Sequence, residues 1–306
     1  FFSNIFFYLS GLEYDAQAAI YQPFLHLWSL SVEEQFYVFF PPLILLLFKI
    51  NKKILIILLV LFLISLIFSE YLSKINSSLA FYTILTRSFE LLAGVIIARL
   101  EFLNLKIKNE IFNSLLSKIG ISLVILSFFL FNNETRHPSL ITLIPVIGTA
   151  LLIYCNNNRE ITTKFLSLKL LVFFGLISYS MYLWHYPIFV FNRLTNFSSG
   201  QIEYEIILGL GIILLSYLSY RFIEKPFRNK NFMSTGKIYL TLIISSVLLS
   251  FIALIIIYNN GFTQRVPNIL KEHYETSHNL SEKTTQNNKV CFNRKNDFCH
   301  FKPKNN

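Results

Sequence analysis

The chain has 306 residues, of which 54% are hydrophobic and only 14% charged, with 32 Phe. Such a composition is far more apolar than that of a water-soluble globular domain and excludes that class. A net charge of +10 would suit a nucleic-acid partner, but the basic residues fall in alternate loops rather than on one face, so no nucleic acid is expected.

The apolar residues come in runs of about 16 to 23, enough to cross a hydrocarbon core at 1.5 Å of rise per residue. In lipid only helices and closed barrels satisfy every backbone group. The expected fold is therefore all-α, a polytopic transmembrane helical bundle of about eight full spans plus one partial. Residues 1–10 read as the end of a span, with Phe1 as an internal start and no signal peptide. Complete spans are predicted at 30–48, 54–70, 81–98, 119–131, 139–155, 170–191, 203–223 and 236–258.

The first complete span is preceded by polar residues that do not suit lipid. In Pro23–Tyr37, His26, Ser29, Glu33 and Tyr37 are spaced by three, four and four residues and share one helical face. That face could hold a hydroxyl-bearing substrate, with imidazole or carboxylate available for proton transfer. A competing reading makes Ser31 and Glu34 a capping box and Trp28 an interfacial anchor, with Glu33 facing water. In the 81–98 span, Arg87, Glu90 and Gly94 again repeat at three and four. This spacing predicts an ion pair beside a small residue that permits close helix approach, either as part of a site or as a self-neutralising structural pair.

The 170–191 span carries Ser178, Tyr182 and His185 on one face. Pro187 lacks a backbone proton and so frees the carbonyl of Leu183, bending the helix beside His185. A packing role for that histidine stays open. After 203–223, Glu224–Arg228 reads as a proline-stopped, basic helix end at a lipid surface.

Between the spans, Lys49, Lys52 and Lys53 share a loop; so do Arg99, Lys106, Lys108 and Lys118; Arg159, Lys164 and Lys169; and Lys225, Arg228, Lys230 and Lys237. The intervening loops have at most a lone basic residue. Under the positive-inside rule these basic loops are cytoplasmic and the tail is external, as in a bacterial inner-membrane protein with a periplasmic tail. Residues 1–258 form the membrane domain. Residues 259–306, rich in Asn, Lys, Thr and Glu, read as a linker or the start of a truncated extramembrane domain. In that tail Cys291 and Cys299 could close a disulfide in an oxidising compartment. No metal site is expected, since only His300 lies near them.

The segments HLWSLSVEEQFY at 26–37, RSFELLAG at 87–94, SYSMYLWHYPIF at 178–189 and EKPFR at 224–228 together resemble the acyltransferase 3 family of integral membrane proteins, over about residues 1–258. The resemblance implies transfer of an acyl group, acetyl above all, from a cytoplasmic donor, acetyl-CoA or another acyl-CoA, to a hydroxyl of a cell-surface carbohydrate such as lipopolysaccharide O-antigen or peptidoglycan. Membrane lipids would be the other partner. The family's first helix, with an Arg and a His assigned to the chemistry, would precede Phe1, so this fragment alone is expected to be inactive. His26, Glu33, Tyr182 and His185 are then expected to line the cavity or relay protons, and Ser29, Glu34, Tyr37, Arg87, Glu90 and Ser178 to bind substrate. The tail resembles the lead into an SGNH domain without that domain's nucleophile motif. A transporter or flippase of a glycan or acyl intermediate is the alternative, with Glu, Arg and His lining its path.

Overall fold

The computed structural model describes residues 1–12, 19–50, 53–132, 135–157, 160–195, 200–229, 232–259, 261–262, 285–286 and 289–290. The chain divides into two compact units, Phe1–Arg228 and Asn229–Asn306.

The first unit is all-helical among its described residues. It contains α1 (Ser3–Ser10), α2 (Leu27–Ile50), α3 (Ile54–Ile75), α4 (Ser77–Tyr82), α5 (Ile84–Phe102), α6 (Glu110–Leu130), α7 (Leu143–Tyr154), α8 (Ile161–Leu166), α9 (Lys169–Thr195), α10 (Ile202–Ser219) and α11 (Lys225–Arg228). Short 3-10 turns lie at Ala19–Tyr21 and Leu140–Thr142. A π turn at Tyr220–Glu224 joins α10 to α11 in one helical run. The second unit holds α12 (Thr235–Tyr258) and a two-residue antiparallel ladder pairing Thr285–Gln286 with Lys289–Val290.

Five helical stretches among the described residues are long and apolar enough to cross a membrane: Leu27–Lys49, Ile54–Ile75, Glu110–Leu130, Ile202–Arg228 and Thr235–Tyr258. Of the other expected spans, α5 has the length but carries Arg87, Glu90, Arg99 and Glu101, α9 is interrupted by its polar cluster, and α7 is short. The predicted 81–98 span is two helices. The chain is extended at Thr83 (φ −90°, ψ 134°), and Asn76 caps α4 by accepting the Leu79 N–H at 2.9 Å. Helix α6 starts nine residues earlier than expected: Asn109 accepts the N–H groups of Ile111 and Phe112, and Lys118 is helical rather than in a loop.

The core is centred where α2, α3 and α5 meet, on Phe36, Ile54, Leu58 and Leu92. Serines at four-residue spacing on α3, Ser65, Ser69 and Ser73, are buried. Their small side chains let backbones approach, as at other membrane helix interfaces. The Ser65 hydroxyl donates to the Leu85 carbonyl (2.6 Å) and accepts the Phe89 N–H (3.0 Å), bridging the two backbone groups of one i→i−4 rung of α5.

Ser31 and Glu34 do not form a capping box, because α2 already begins at Leu27. The Ser31 hydroxyl instead donates to Asn4 Oδ1 (2.9 Å), which also accepts from Gln35 Nε2 (3.0 Å), and Asn4 Nδ2 donates to the Tyr82 carbonyl (2.9 Å). One side chain of α1 thus ties α2 to α4.

Close helix approach occurs not at Gly94 but between α6 and α7. A Cβ added at Gly148 would lie 2.8 Å from the Gly120 carbonyl oxygen, and one at Gly120 would lie 2.9 Å from that of Gly148. Both obstacles are backbone, so only helix separation relieves them. Gly148→Leu is expected to cost about 1–3 kcal/mol as overpacking. Gly94→Ala, whose Cβ meets nothing within 4 Å, should leave stability equal or slightly raised, since alanine favours helix by roughly 0.5–1 kcal/mol. Thermal unfolding of the purified protein in detergent measures both, and comparable losses at the two positions would contradict the packing argument.

Candidate active site

His26 sits one residue before α2 and is only 6% exposed. Its ring is boxed by α9: Tyr186 stacks on it (centroids 5.1 Å apart), and Tyr182 and His185 meet it edge-on at 5.0 and 5.6 Å. Neither ring nitrogen of His26 has a hydrogen-bond partner. The ring does interact with the backbone of Leu183, without reaching hydrogen-bonding geometry. That carbonyl is the one Pro187 leaves without an N–H donor. A buried imidazole with two unmatched nitrogens is costly in a purely structural position.

The neighbours of His26 are themselves fixed. The His185 Nδ1 lies 3.1 Å from the Met181 carbonyl. A carbonyl only accepts, so Nδ1 carries the proton and, in the neutral ring, Nε2 keeps a lone pair. The Tyr182 hydroxyl donates to the His26 carbonyl and accepts from Ser29 Oγ at 2.6 Å. Tyr186 Oη donates to the Ala19 carbonyl (2.9 Å) and Arg193 to that of Ile20 (3.3 Å), holding the segment before His26 against α9. On the far side of α9, Trp184 Nε1 donates to Ser219 Oγ (2.8 Å) and Ser180 Oγ to Glu224 (3.2 Å). Glu224 also pairs with Arg228 at 3.2 Å, so the 224–228 motif is bonded to α9 as well as basic.

A second group lies beside the first. Glu33 is two turns along α2 from His26 and lines a cavity of about 100 Å³ with Trp28, Ser29, Val32, Arg87, Glu90 and Leu91. The expected Arg87–Glu90 ion pair forms at 3.0 Å, with the two side chains 8% and 27% exposed. The guanidinium lies 5.0 Å from the ring centre of Trp28 and 4.9 Å from that of Phe81, two rings packed against each other at 4.3 Å, so both offer it a cation–π contact. Trp28 thus covers a buried cation, a role distinct from an interfacial anchor.

The four residues expected in one cavity accordingly fall into two adjoining groups joined at Ser29, which bonds Tyr182 in the first and lines the second. Glu34 is beside Glu33 and half-exposed. Tyr37 is 63% exposed, on the outward side of α2. The Ser178 hydroxyl turns back to the Gly175 carbonyl at 2.8 Å, apart from Tyr182 and His185. Cys291 and Cys299 lie outside the described residues. Among the described residues no group of His, Cys, Asp or Glu is arranged to hold a metal.

One residue of this site is absent from the sequence reading. His137, in the loop before α7, places Nε2 at 2.6 Å from Arg87 Nη1. It lines, with Glu90, Ala93, Gly94, Thr142 and Pro145, a groove of about 400 Å³ on the other side of the ion pair. A larger space of about 750 Å³ between α2, α3 and α5 is walled by Phe, Leu and Ile with only Ser65 and Ser88 polar, and offers no acid, base or nucleophile.

No solved structure matches the chain. A protein of Staphylococcus aureus strain COL, provisionally named an O-acetyltransferase, is 36% identical over 246 residues, covering 73% of this chain and 40% of that protein. The O-acetyltransferase OatA of S. aureus strain NCTC 8325 is 35% identical over 246 residues, covering 75% of this chain and 40% of OatA. The chain thus spans about two fifths of the length of these relatives. Residues 1–221 match the acyltransferase domain family, and this span takes in His26, Glu33, Arg87, Tyr182 and His185 alike. The chain belongs to that family of acyltransferases.

Proposed function

We propose that the full-length protein transfers an acetyl group from a CoA thioester supplied on the cytoplasmic side to a hydroxyl of a cell-surface glycan. The observation that carries this reading is the buried, unpartnered imidazole of His26 facing a second histidine whose Nε2 lone pair is free of its own helix. Such a pair can relay a proton between an attacking sugar hydroxyl and the departing thiolate. The hydroxyl oxygen forms the new ester bond, the acyl–sulfur bond breaks, and the proton released by the sugar ends on the CoA sulfur. His26, Glu33, Tyr182 and His185 then serve as cavity lining or proton relay, while Ser29, Arg87 and Glu90, which line the adjoining cavity, are assigned to the acceptor. Acetyl as the group and oxygen as its acceptor are supported by the names of the relatives, OatA included.

Mass spectrometry of surface glycans, with and without the full-length gene, tests the activity. Loss of an O-acetyl increment on deletion is expected, and an unchanged glycan profile would reject the assignment. The loops around 49–53, 99–109, 156–169 and 225–237 are proposed to face the cytoplasm of the producing bacterium, the tail after residue 259 lying outside, on the strength of their basic residues. A cysteine introduced at Lys53 or Lys106 should resist an impermeant thiol reagent added to whole cells; ready labelling would invert the topology.

A further inference from the structure

The Arg87 guanidinium is held from three directions. Nε donates to the Phe81 carbonyl at 3.3 Å, and the two hydrogens of Nη1 go to Glu90 Oε1 (3.0 Å) and to His137 Nε2 (2.6 Å). Arginine can only donate, so Nε2 of His137 must present a lone pair. In a neutral ring the proton is then on Nδ1, which lies 3.2 Å from Thr142 Oγ1. That hydroxyl oxygen also accepts the Ser139 N–H at 2.9 Å. The loop before α7 therefore fixes the ring from one side, and the ring fixes Arg87 from the other.

We propose that His137 is a positioning residue, acting as a neutral, Nδ1-protonated acceptor that aims the Arg87 guanidinium into the cavity shared with Glu33 and Glu90. The role rests on the functional reading above for its catalytic consequence, but the contact itself does not. Protonating Nε2 would oppose two N–H groups and two positive charges at one contact, releasing Arg87 to Glu90 and Phe81 alone. The charged groups facing the ring are Arg87 and Glu90 on α5. On α3, Glu70 accepts the Leu140 N–H of the same loop (3.1 Å) and carries Lys74 (2.9 Å) and Arg136 (3.9 Å); the α4 neighbour is the uncharged Phe81 ring, 6.3 Å away. Burial first, and the Arg87 charge second, push the His137 imidazole down from 6.5 to about 4, in keeping with a ring that stays neutral. A folded value below the ordinary one means stability that is full above about 6.5 and lost as pH falls toward 4.

Full-length protein labelled with ¹⁵N-histidine and reconstituted in lipid tests this, with His137→Gln used to assign the His137 signals by difference. At pH 7.5 the His137 nitrogens should report the Nδ1–H tautomer; an Nε2–H tautomer or a charged ring would overturn the proposal without reference to catalysis. In the transfer assay at matched abundance, His137→Leu should be lowered about tenfold or more, the usual effect of losing a hydrogen bond to a charged group. His137→Gln, whose amide oxygen can accept from Arg87, should recover most of that loss. Equal losses in Gln and Leu, or no loss in Leu, would reduce His137 to packing. If the wild type itself transfers nothing, the functional reading fails while the tautomer still decides the contact.

Discussion

Replacing His185 by alanine in the full-length protein is expected to lower glycan acetylation by about 10²- to 10⁴-fold, the range typical of a positioned acid or base. The Met181 carbonyl holds Nδ1–H, so the ring cannot turn its lone pair elsewhere without breaking that bond. His26→Ala should fall in the same range, since its ring lies 5.6 Å from that of His185, centre to centre, and neither of its nitrogens is hydrogen-bonded. The double variant should be little worse than either single, because residues that act as one unit are not additive. Tyr182→Phe keeps the ring against His26 but removes the hydroxyl that anchors the His26 carbonyl, and a smaller loss of about tenfold is expected. Transfer assays on membranes with matched protein abundance decide the matter. Near-normal rates in both histidine variants would leave these rings a packing role only.

The second large effect is on stability. Removing either Arg87 or Glu90 alone is expected to destabilise the protein by about 3–5 kcal/mol, the cost of stranding one member of a buried pair. The pair is 8% and 27% exposed and its guanidinium lies against the Trp28 and Phe81 rings, so solvent offers little compensation. Arg87→Met combined with Glu90→Leu should cost less than either single loss, since no charge is then left without a partner. His137 would keep the Arg87 charge partly satisfied in the Glu90 variant, making that the milder of the two. Thermal unfolding in detergent at several pH values separates these cases, and losses that simply add would dissolve the pair.

Long apolar runs announced α2, α3, α10 and α12 because in lipid hydrophobic length and helix length are the same constraint. The break at Thr83 was hidden within a continuous apolar pattern, although Asn76 before Ser77 and Ser78 offers a cap signal for a separate α4. Helix α6 was cut short because Lys118 reads as a loop residue, whereas a lysine stem can lie along a helix and carry its charge to the surface. Within the site, the Arg87–Glu90 pair was legible because three residues is a helical spacing. The pairing of His26 with Tyr182 and His185, more than 150 residues on, was reachable only by asking where unsuited polar residues must gather. His137 carries no such mark: it sits in a loop with no period, and its partner is 50 residues away.

The mutual contact of Gly120 and Gly148 constrains how this chain can change over generations. A bulky residue in a core is often accommodated by shrinking its neighbour, and drift proceeds through such compensated pairs. Here both neighbours are already the smallest residue there is, and each meets the other's backbone at 2.8–2.9 Å. Neither can make room for the other, so no second-site change at the crossing itself rescues a first. Lineages would reach a different residue at either position only by reshaping the flanking side chains that set the spacing, Leu123 and Val124 on α6 or Leu151 and Leu152 on α7.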